Sequence, residues 1–262
     1  MLAATAAGYH AMAPDWHGYG LSEQLPESEL SWDDLVVDVL AVDGAFVVGK
    51  DFGSIPAFYF ALRHPNRTRG VASLGIAFSP GPFDFDTMPE GFYIPRWREP
   101  GRAEADFGRY DVRRVIRTIY TLFFRPLPDP SPFDFDTMPE GCYILRLPEW
   151  FTETDLDAYA SLYQNCGFRC SLQMYRALHK MPHLPDARFQ VPVLMVMGEK
   201  DYCNKFPGFE DTVRSGAMGS FAPDMKTVFI PEGSHFMQEQ QMPEQVNELL
   251  VGFFSDHPAV AG

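Results

Sequence analysis

Asp51 lies at the centre of Gly49-Lys50-Asp51-Phe52-Gly53, between the apolar run Ala45-Phe46-Val47-Val48 and a helix-like stretch over residues 55–63. A strand, a tight Gly-x-nucleophile-x-Gly turn and a helix make a nucleophile elbow, which lifts the central side chain clear of the backbone. Serine is the usual occupant of that place. A carboxylate there attacks carbon and leaves an ester, so the electrophile it implies is an epoxide or an alkyl halide.

An ester needs a base to release it, and the base needs an acid behind it. In folds built on such an elbow the three groups follow in chain order: nucleophile, acid, His. The apolar run 191–197 leads into Gly198-Glu199-Lys200-Asp201-Tyr202, and 227–230 leads into Pro231-Glu232-Gly233-Ser234-His235-Phe236. Asp201 and His235 are the acid and base expected. Taken singly, a strand-end Asp is as often a turn or cap residue, and a loop His more often does no chemistry. Their order, each at a strand exit, carries the assignment. Asp51 would attack carbon, His235 would take a proton from the water that cleaves the ester, and Asp201 would fix the imidazole tautomer and stabilise its charged form. The backbone N–H of Phe52 would be one oxyanion donor. Opening an epoxide also needs an acid for the leaving oxygen, and neutral Tyr hydroxyls, with a pKa of about 10, suit that task.

Those residues need a sheet to hold them. Residues 9–14, 45–48, 71–76, 191–197 and 227–230 read as strands. A Gly-rich loop covers 15–22, and helical spacing covers 32–40, with Ser31 as N-cap, and 244–254. Strands alternating with helices imply an α/β fold with a parallel sheet covered on both faces. From residue 78 to about 184 the strand-like runs vanish, and helical patterns occupy 111–123 and 153–178, broken near Cys166-Gly167. The expected division is a core over 1–78, a helical cap over 79–184 and the rest of the core over 185–262. Within the cap, Pro82 to Gly91 recurs letter for letter as Pro132 to Gly141. Two copies do not make a solenoid, which takes about three or more, and the repeat reads as a local duplication or a sequence irregularity.

Composition excludes several partners. The chain has 262 residues and a formal net charge of −14, without a Lys/Arg cluster, which argues against nucleic acid. Cys142, Cys166, Cys170 and Cys203 form no C-x-x-C pair, so no metal site is expected, and sparse cysteine suits a reducing compartment. The first residues lack a basic n-region, and no run reaches the length of a membrane span, so a cytosolic protein is expected. Neither phosphate-cradling nor dinucleotide-binding glycine patterns occur, and no cofactor is expected. Oligomeric state is left at monomer or homodimer.

Six stretches together resemble one family: residues 48–53, Gly91-Phe92-Tyr93-Ile94-Pro95-Arg96-Trp97, Glu99-Pro100-Gly101-Arg102-Ala103-Glu104-Ala105-Asp106-Phe107, 167–176, 198–201 and 232–236. They resemble the plant-type soluble epoxide hydrolases of the α/β-hydrolase superfamily, from Gly8 to His257. The resemblance implies an α/β-hydrolase fold with a helical lid, and hydration of a small apolar epoxide to a vicinal diol by water. It also implies two lid tyrosines that bind and protonate the epoxide oxygen, at Tyr93 and Tyr175. Tyr143 copies the setting of Tyr93 through the repeat but lacks the Glu-Pro-Gly-Arg segment that follows, and is set aside. The other histidines, at 10, 17, 64, 179, 183 and 257, are given no role.

Haloalkane dehalogenases share the Asp nucleophile but hold halide with Trp, where this chain has Phe52 and the tyrosines. The family also carries a His-Gly-x-Pro loop upstream that supplies a second oxyanion donor, and this chain has none. The resemblance makes 9–14 the fourth strand of the family sheet, so the first strands are expected to be missing. Loss of one oxyanion donor typically costs about 10²–10³ in rate. A hydrolase-fold protein that binds an apolar ligand or partner without turnover is the second reading, and dehalogenation the third.

Overall fold

The computed structural model describes residues 1–23, 31–37, 44–81, 88, 93–124 and 147–258. Four parallel strands, β1 (Ala45–Lys50), β2 (Thr68–Leu74), β3 (Val193–Gly198) and β4 (Met225–Ile230), lie side by side in chain order. The helices are α1 (Leu2–Ala6), α2 (Trp32–Val37), α3 (Ser54–Arg63), α4 (Tyr93–Arg98), α5 (Arg102–Phe107), α6 (Val112–Phe124), α7 (Glu153–Cys166), α8 (Arg169–Ala177), α9 (Phe209–Arg214) and α10 (Pro243–Asp256). Helices α4 to α8 all fall between β2 and β3 in the chain.

The strands alternate faces with a period of two. Val71, Val193, Met195 and Met197 join the large core with α2 and α3, while Ala72, Leu74, Leu194 and Val196 pack with Phe253 and Phe254 of α10. Burial on both faces explains why 193–198 reads as an unbroken apolar run. Register brings the strand exits level: Lys50 pairs with Leu74, Leu74 with Val196, and Gly198 with Ile230. The loops that follow β1, β3 and β4 therefore open at the same end of the sheet, where open α/β sheets hold their ligands.

The expected strand over 9–14 does not form. Tyr9 instead lays its ring against Phe46 and Phe254, with centroids 6.2 and 5.3 Å apart. Residues 12–15 are exposed, without a ladder partner among the described residues. Local strand propensity without a neighbouring ladder is not enough to hold a strand. The Ser31 cap does form: its hydroxyl accepts from the Asp34 N–H at 3.2 Å, and Asp34 accepts from the Ser31 N–H at 3.1 Å. The break near 166–167 is present too, between α7 and α8. The repeated segment, apart from Met88, and Tyr143 lie outside the described residues.

Helices α4 and α5 had no sequence signal, since six residues are too few for a 3.6 period to show. A buried ion pair joins them. Asp106 accepts from Arg96 Nε at 2.7 Å and Nη2 at 2.8 Å, and from Trp97 Nε1 at 3.1 Å. Burial works to raise the Asp106 pKa, but the Arg96 bonds outweigh it and hold the carboxyl below its ordinary value. An Arg96→Ala chain leaves this carboxylate buried with weaker company. It is expected to lose about 3 kcal/mol of stability in a urea titration. An unchanged midpoint would show that the pair does not hold the two helices.

Candidate active site

Strand β1 ends at Lys50, and the chain turns so sharply that Asp51 adopts φ 50°. Left-handed backbone at a residue other than glycine costs about 1–3 kcal/mol, and Asp tolerates it better than most. Gly49 is sterically required: a Cβ there would lie 2.4 Å from Ser54 Cα and 2.6 Å from Gly53 O. The second glycine of the motif is not, because a Cβ on Gly53 would meet nothing within 4 Å.

The loops after β3 and β4 are clamped together. A Cβ on Gly198 would lie 2.4 Å from Gly233 O. The N–H of Lys200 donates to Gly233 O at 2.9 Å, and that of Glu199 to Ile230 O at 3.0 Å. The clamp brings His235 Nδ1 to 3.1 Å from Asp201 Oδ2, while Asp201 Oδ1 accepts from the Cys203 N–H at 3.0 Å. His235 Nε2 faces Asp51 Oδ2 at 3.7 Å. Asp201 and His235 are 1% and 7% exposed and Asp51 is 33% exposed, so Asp51 is the one of the three that a solute can reach. Burial alone would raise the Asp201 pKa. The charge and hydrogen bond of His235, the Lys50 ammonium and the Cys203 N–H outweigh it and hold the carboxyl down at about 2. Asp201 thus stays ionised at any working pH and can fix the imidazole tautomer.

The tyrosines expected from the resemblance lie over this row. The ring of Tyr175 meets that of Phe52 edge-on at 5.7 Å, and that of Tyr93 at 6.0 Å. The Tyr93 hydroxyl is 3.0 Å from that of Tyr202, whose ring lies 4.9 Å from His235. Burial pushes the Tyr93 and Tyr175 hydroxyls well above their ordinary value. The Asp51 charge adds to the rise in both. Both hydroxyls therefore stay protonated within reach of the Asp51 charge. All six residues expected from the sequence, Asp51, Phe52, Tyr93, Tyr175, Asp201 and His235, come together here.

Sequence reading missed three neighbours. Lys50 Nζ lies 3.3 Å from each ring nitrogen of His235. A cation immediately before the nucleophile was the signal. Tyr202 had none beyond following Asp201. Glu239 is a half-buried carboxyl whose pKa is raised by desolvation, against the pull of Lys50 and His235. It sits on a π-helical turn, Met237–Gln241, just past the base.

The donor atoms of Asp201, Cys203 and His235 all lie within 4.8 Å of one another, which makes them the candidate metal ligands among the described residues. Their chemistry does not suit a metal ion. A thiol ligand binds as thiolate, whereas burial, and then the Asp201 charge, push the Cys203 thiol well up. The Lys50 ammonium also stands against the ring, and Asp201 and His235 already use their facing atoms on each other. No helix among the described residues is long and apolar enough to cross a membrane.

A sequence profile of the alpha/beta hydrolase family matches residues 1–249. The chain is 31% identical over 275 residues to epoxide hydrolase 3 of Siraitia grosvenorii, covering 97% of this chain and 86% of that protein. Epoxide hydrolase A of Mycobacterium tuberculosis is 29% identical over 275 residues, with 95% and 83% covered. A variant of the epoxide hydrolase from potato, Solanum tuberosum, superposes with a TM-score of 0.83 at 26% identity, covering 98% of this chain and 87% of the other. The epoxide hydrolase of Vigna radiata superposes at 0.80 with 29% identity, covering 97% and 85%. The profile over residues 1–249 and the 31% identity across nearly all of the chain show that it belongs to the alpha/beta hydrolase family, among the epoxide hydrolases.

Proposed function

We propose that this chain adds water to a small apolar epoxide to give a vicinal diol, through an ester on Asp51. The observation that carries the reading is the row Asp201–His235–Asp51 beneath two neutral tyrosine hydroxyls. Asp51 attacks a ring carbon in line, the carbon–oxygen bond of the ring breaks, and Tyr93 and Tyr175 bind the departing oxygen and supply its proton. His235 Nε2 then takes a proton from water, and the oxygen left behind attacks the ester carbonyl. The Phe52 N–H donates to the oxyanion that forms there. The bond between the carbonyl carbon and the alkyl oxygen breaks, that oxygen takes the second proton of the water so that the diol leaves and Asp51 is again a carboxylate, and the proton on His235 returns to the tyrosine. Asp51 keeps one oxygen from water. No cofactor enters the balance.

The division into a core over 1–78 and 185–262, with a cap over 79–184, is part of the same reading. The cap would deliver the tyrosines and exclude bulk water, which strengthens every interaction inside. Scarce cysteine fits a reducing compartment such as the cytosol. A single turnover of trans-stilbene oxide in heavy-oxygen water tests the chemistry. Label is expected in the Asp51 carboxylate, with the diol of that first turnover unlabelled. Label arriving directly in the diol would mean that water attacks the epoxide and Asp51 never bonds to it.

A further inference from the structure

Tyr202 has no part in the steps above, yet its hydroxyl lies 3.0 Å from that of Tyr93, a residue 109 positions away in the chain. Tyr93 opens α4, whereas Tyr202 follows Asp201 in the loop after β3. Groups the site already uses fix its place. The Asp201 carboxylate caps the short turn Tyr202–Lys205 by accepting from the Cys203 N–H at 3.0 Å. The Asn204 side chain donates to the Gly198 carbonyl at 2.8 Å and ties that turn to the end of β3. The Tyr202 ring is walled by Phe123 at 4.7 Å, His235 at 4.9 Å and Phe206 at 5.7 Å. Both tyrosines are buried, so bulk water does not compete for the bond between them.

A hydroxyl has one proton to give and two lone pairs. In the ring-opening step Tyr93 gives its proton to the departing oxygen, so it cannot donate to Tyr202 in the same complex. The bond then has one direction open to it: the Tyr202 O–H donates and the Tyr93 oxygen accepts. Burial holds the Tyr202 hydroxyl well above its ordinary pKa, which keeps its proton available for that bond. As the carbon–oxygen bond of the epoxide breaks, negative charge gathers on the Tyr93 oxygen. Burial opposes a charge there and pushes the Tyr93 pKa well up, while the hydrogen bond from Tyr202 pulls the other way.

Resting on the ester mechanism proposed above, we infer that Tyr202 is a positioning residue for ring opening: it donates to Tyr93, turns the Tyr93 proton toward the epoxide oxygen and stabilises the phenolate left when that proton has gone. A hydrogen bond to a charged oxygen is about twice as strong as one to a neutral oxygen, so this bond tightens as the proton leaves. It therefore favours the transition state over the bound epoxide. Ester breakdown gains nothing from it, because the Tyr93 oxygen carries the same charge before and after water attacks the ester.

That split gives a signature which a merely structural role would not. Ester formation and ester breakdown are measured by rapid quench in single turnovers of trans-stilbene oxide. The chains are wild type, Tyr202→Phe, Tyr93→Phe and the double variant, with Tyr202→Leu as the second choice should the first not fold. In Tyr202→Phe, ester formation is expected to slow about 10–100-fold, the range for a hydrogen bond to a charged group. Breakdown should keep its wild-type rate, and so should the substrate dissociation constant read from the concentration dependence of the first phase. In the Tyr93→Phe background, removal of the Tyr202 hydroxyl should cost nothing further, because its acceptor is already gone. Ester formation at the wild-type rate in Tyr202→Phe overturns the inference. So does a loss shared by binding and breakdown, or a loss that persists undiminished when Tyr93 is Phe. Absence of any ester in the wild type would instead sink the mechanism beneath it, and the wild-type trace alone tells the two failures apart.

Discussion

A His235→Gln chain is expected to open one epoxide and stop. Glutamine keeps a donor toward Asp201 but takes no proton from water near neutral pH, so the ester should form and persist. Steady-state turnover should fall by about 10³-fold or more, at the upper range of what a positioned base contributes. Intact-mass measurement after mixing should show one substrate mass added, and fragmentation should place it on the peptide carrying Asp51. The geometry behind the expectation is that His235, the base of the proposed mechanism, faces Asp51 at 3.7 Å and Asp201 at 3.1 Å. Continued turnover, or an adduct on another residue, would remove His235 or Asp51 from its role.

Changing both Tyr93 and Tyr175 to Phe should fail one step earlier. No ester should accumulate even with His235 also replaced, because the ring oxygen would leave without a proton. Loss of a single donor to a developing oxyanion in a dry site costs about 10²–10³ in rate. Each single change should therefore slow ester formation on that scale while leaving ester breakdown unaltered. Rapid-quench kinetics separates the two phases. The alkaline behaviour follows from the direction of the pKa shifts. Burial raises both hydroxyls well above the ordinary value of 10.0, and a raised hydroxyl stays a donor below that new value. Neither tyrosine should impose a loss of activity up to about pH 10. If the double variant still forms ester at the wild-type rate, the proton comes from elsewhere, and Tyr202, 3.0 Å from Tyr93, becomes the next candidate.

The chemistry was legible in the sequence because it sits at strand exits. A strand buried on both faces is an unmistakable apolar run, and the polar residue that ends it is marked by contrast. Asp51, Asp201 and His235 were singled out that way, and Gly49, two residues before Asp51, is fixed by a backbone contact that no side chain could share. The tyrosines were not found by pattern. Tyr93 and Tyr175 came from a family resemblance, because their partners are far apart along the chain and α4 is too short to show a period. The strand expected at 9–14 failed because its pairing partner is a tertiary matter, and Tyr9 found aromatic rings instead.

By itself the sequence pointed to the reaction class: a carboxylate on an elbow narrows the electrophile to an epoxide or an alkyl halide, and the family resemblance narrows it to the epoxide. It also determined the parallel α/β plan, through local runs whose period and burial are written residue by residue. Only the tertiary structure decided the distances. The level register of β1 to β4 and the contact of Gly198 with Gly233 set His235 between Asp201 and Asp51. The same register laid the Lys50 ammonium across that imidazole, a residue the chain shows only as a letter beside the nucleophile. Two groups 185 residues apart act on one another only when the sheet closes between them, because charge acts through space and not along the chain.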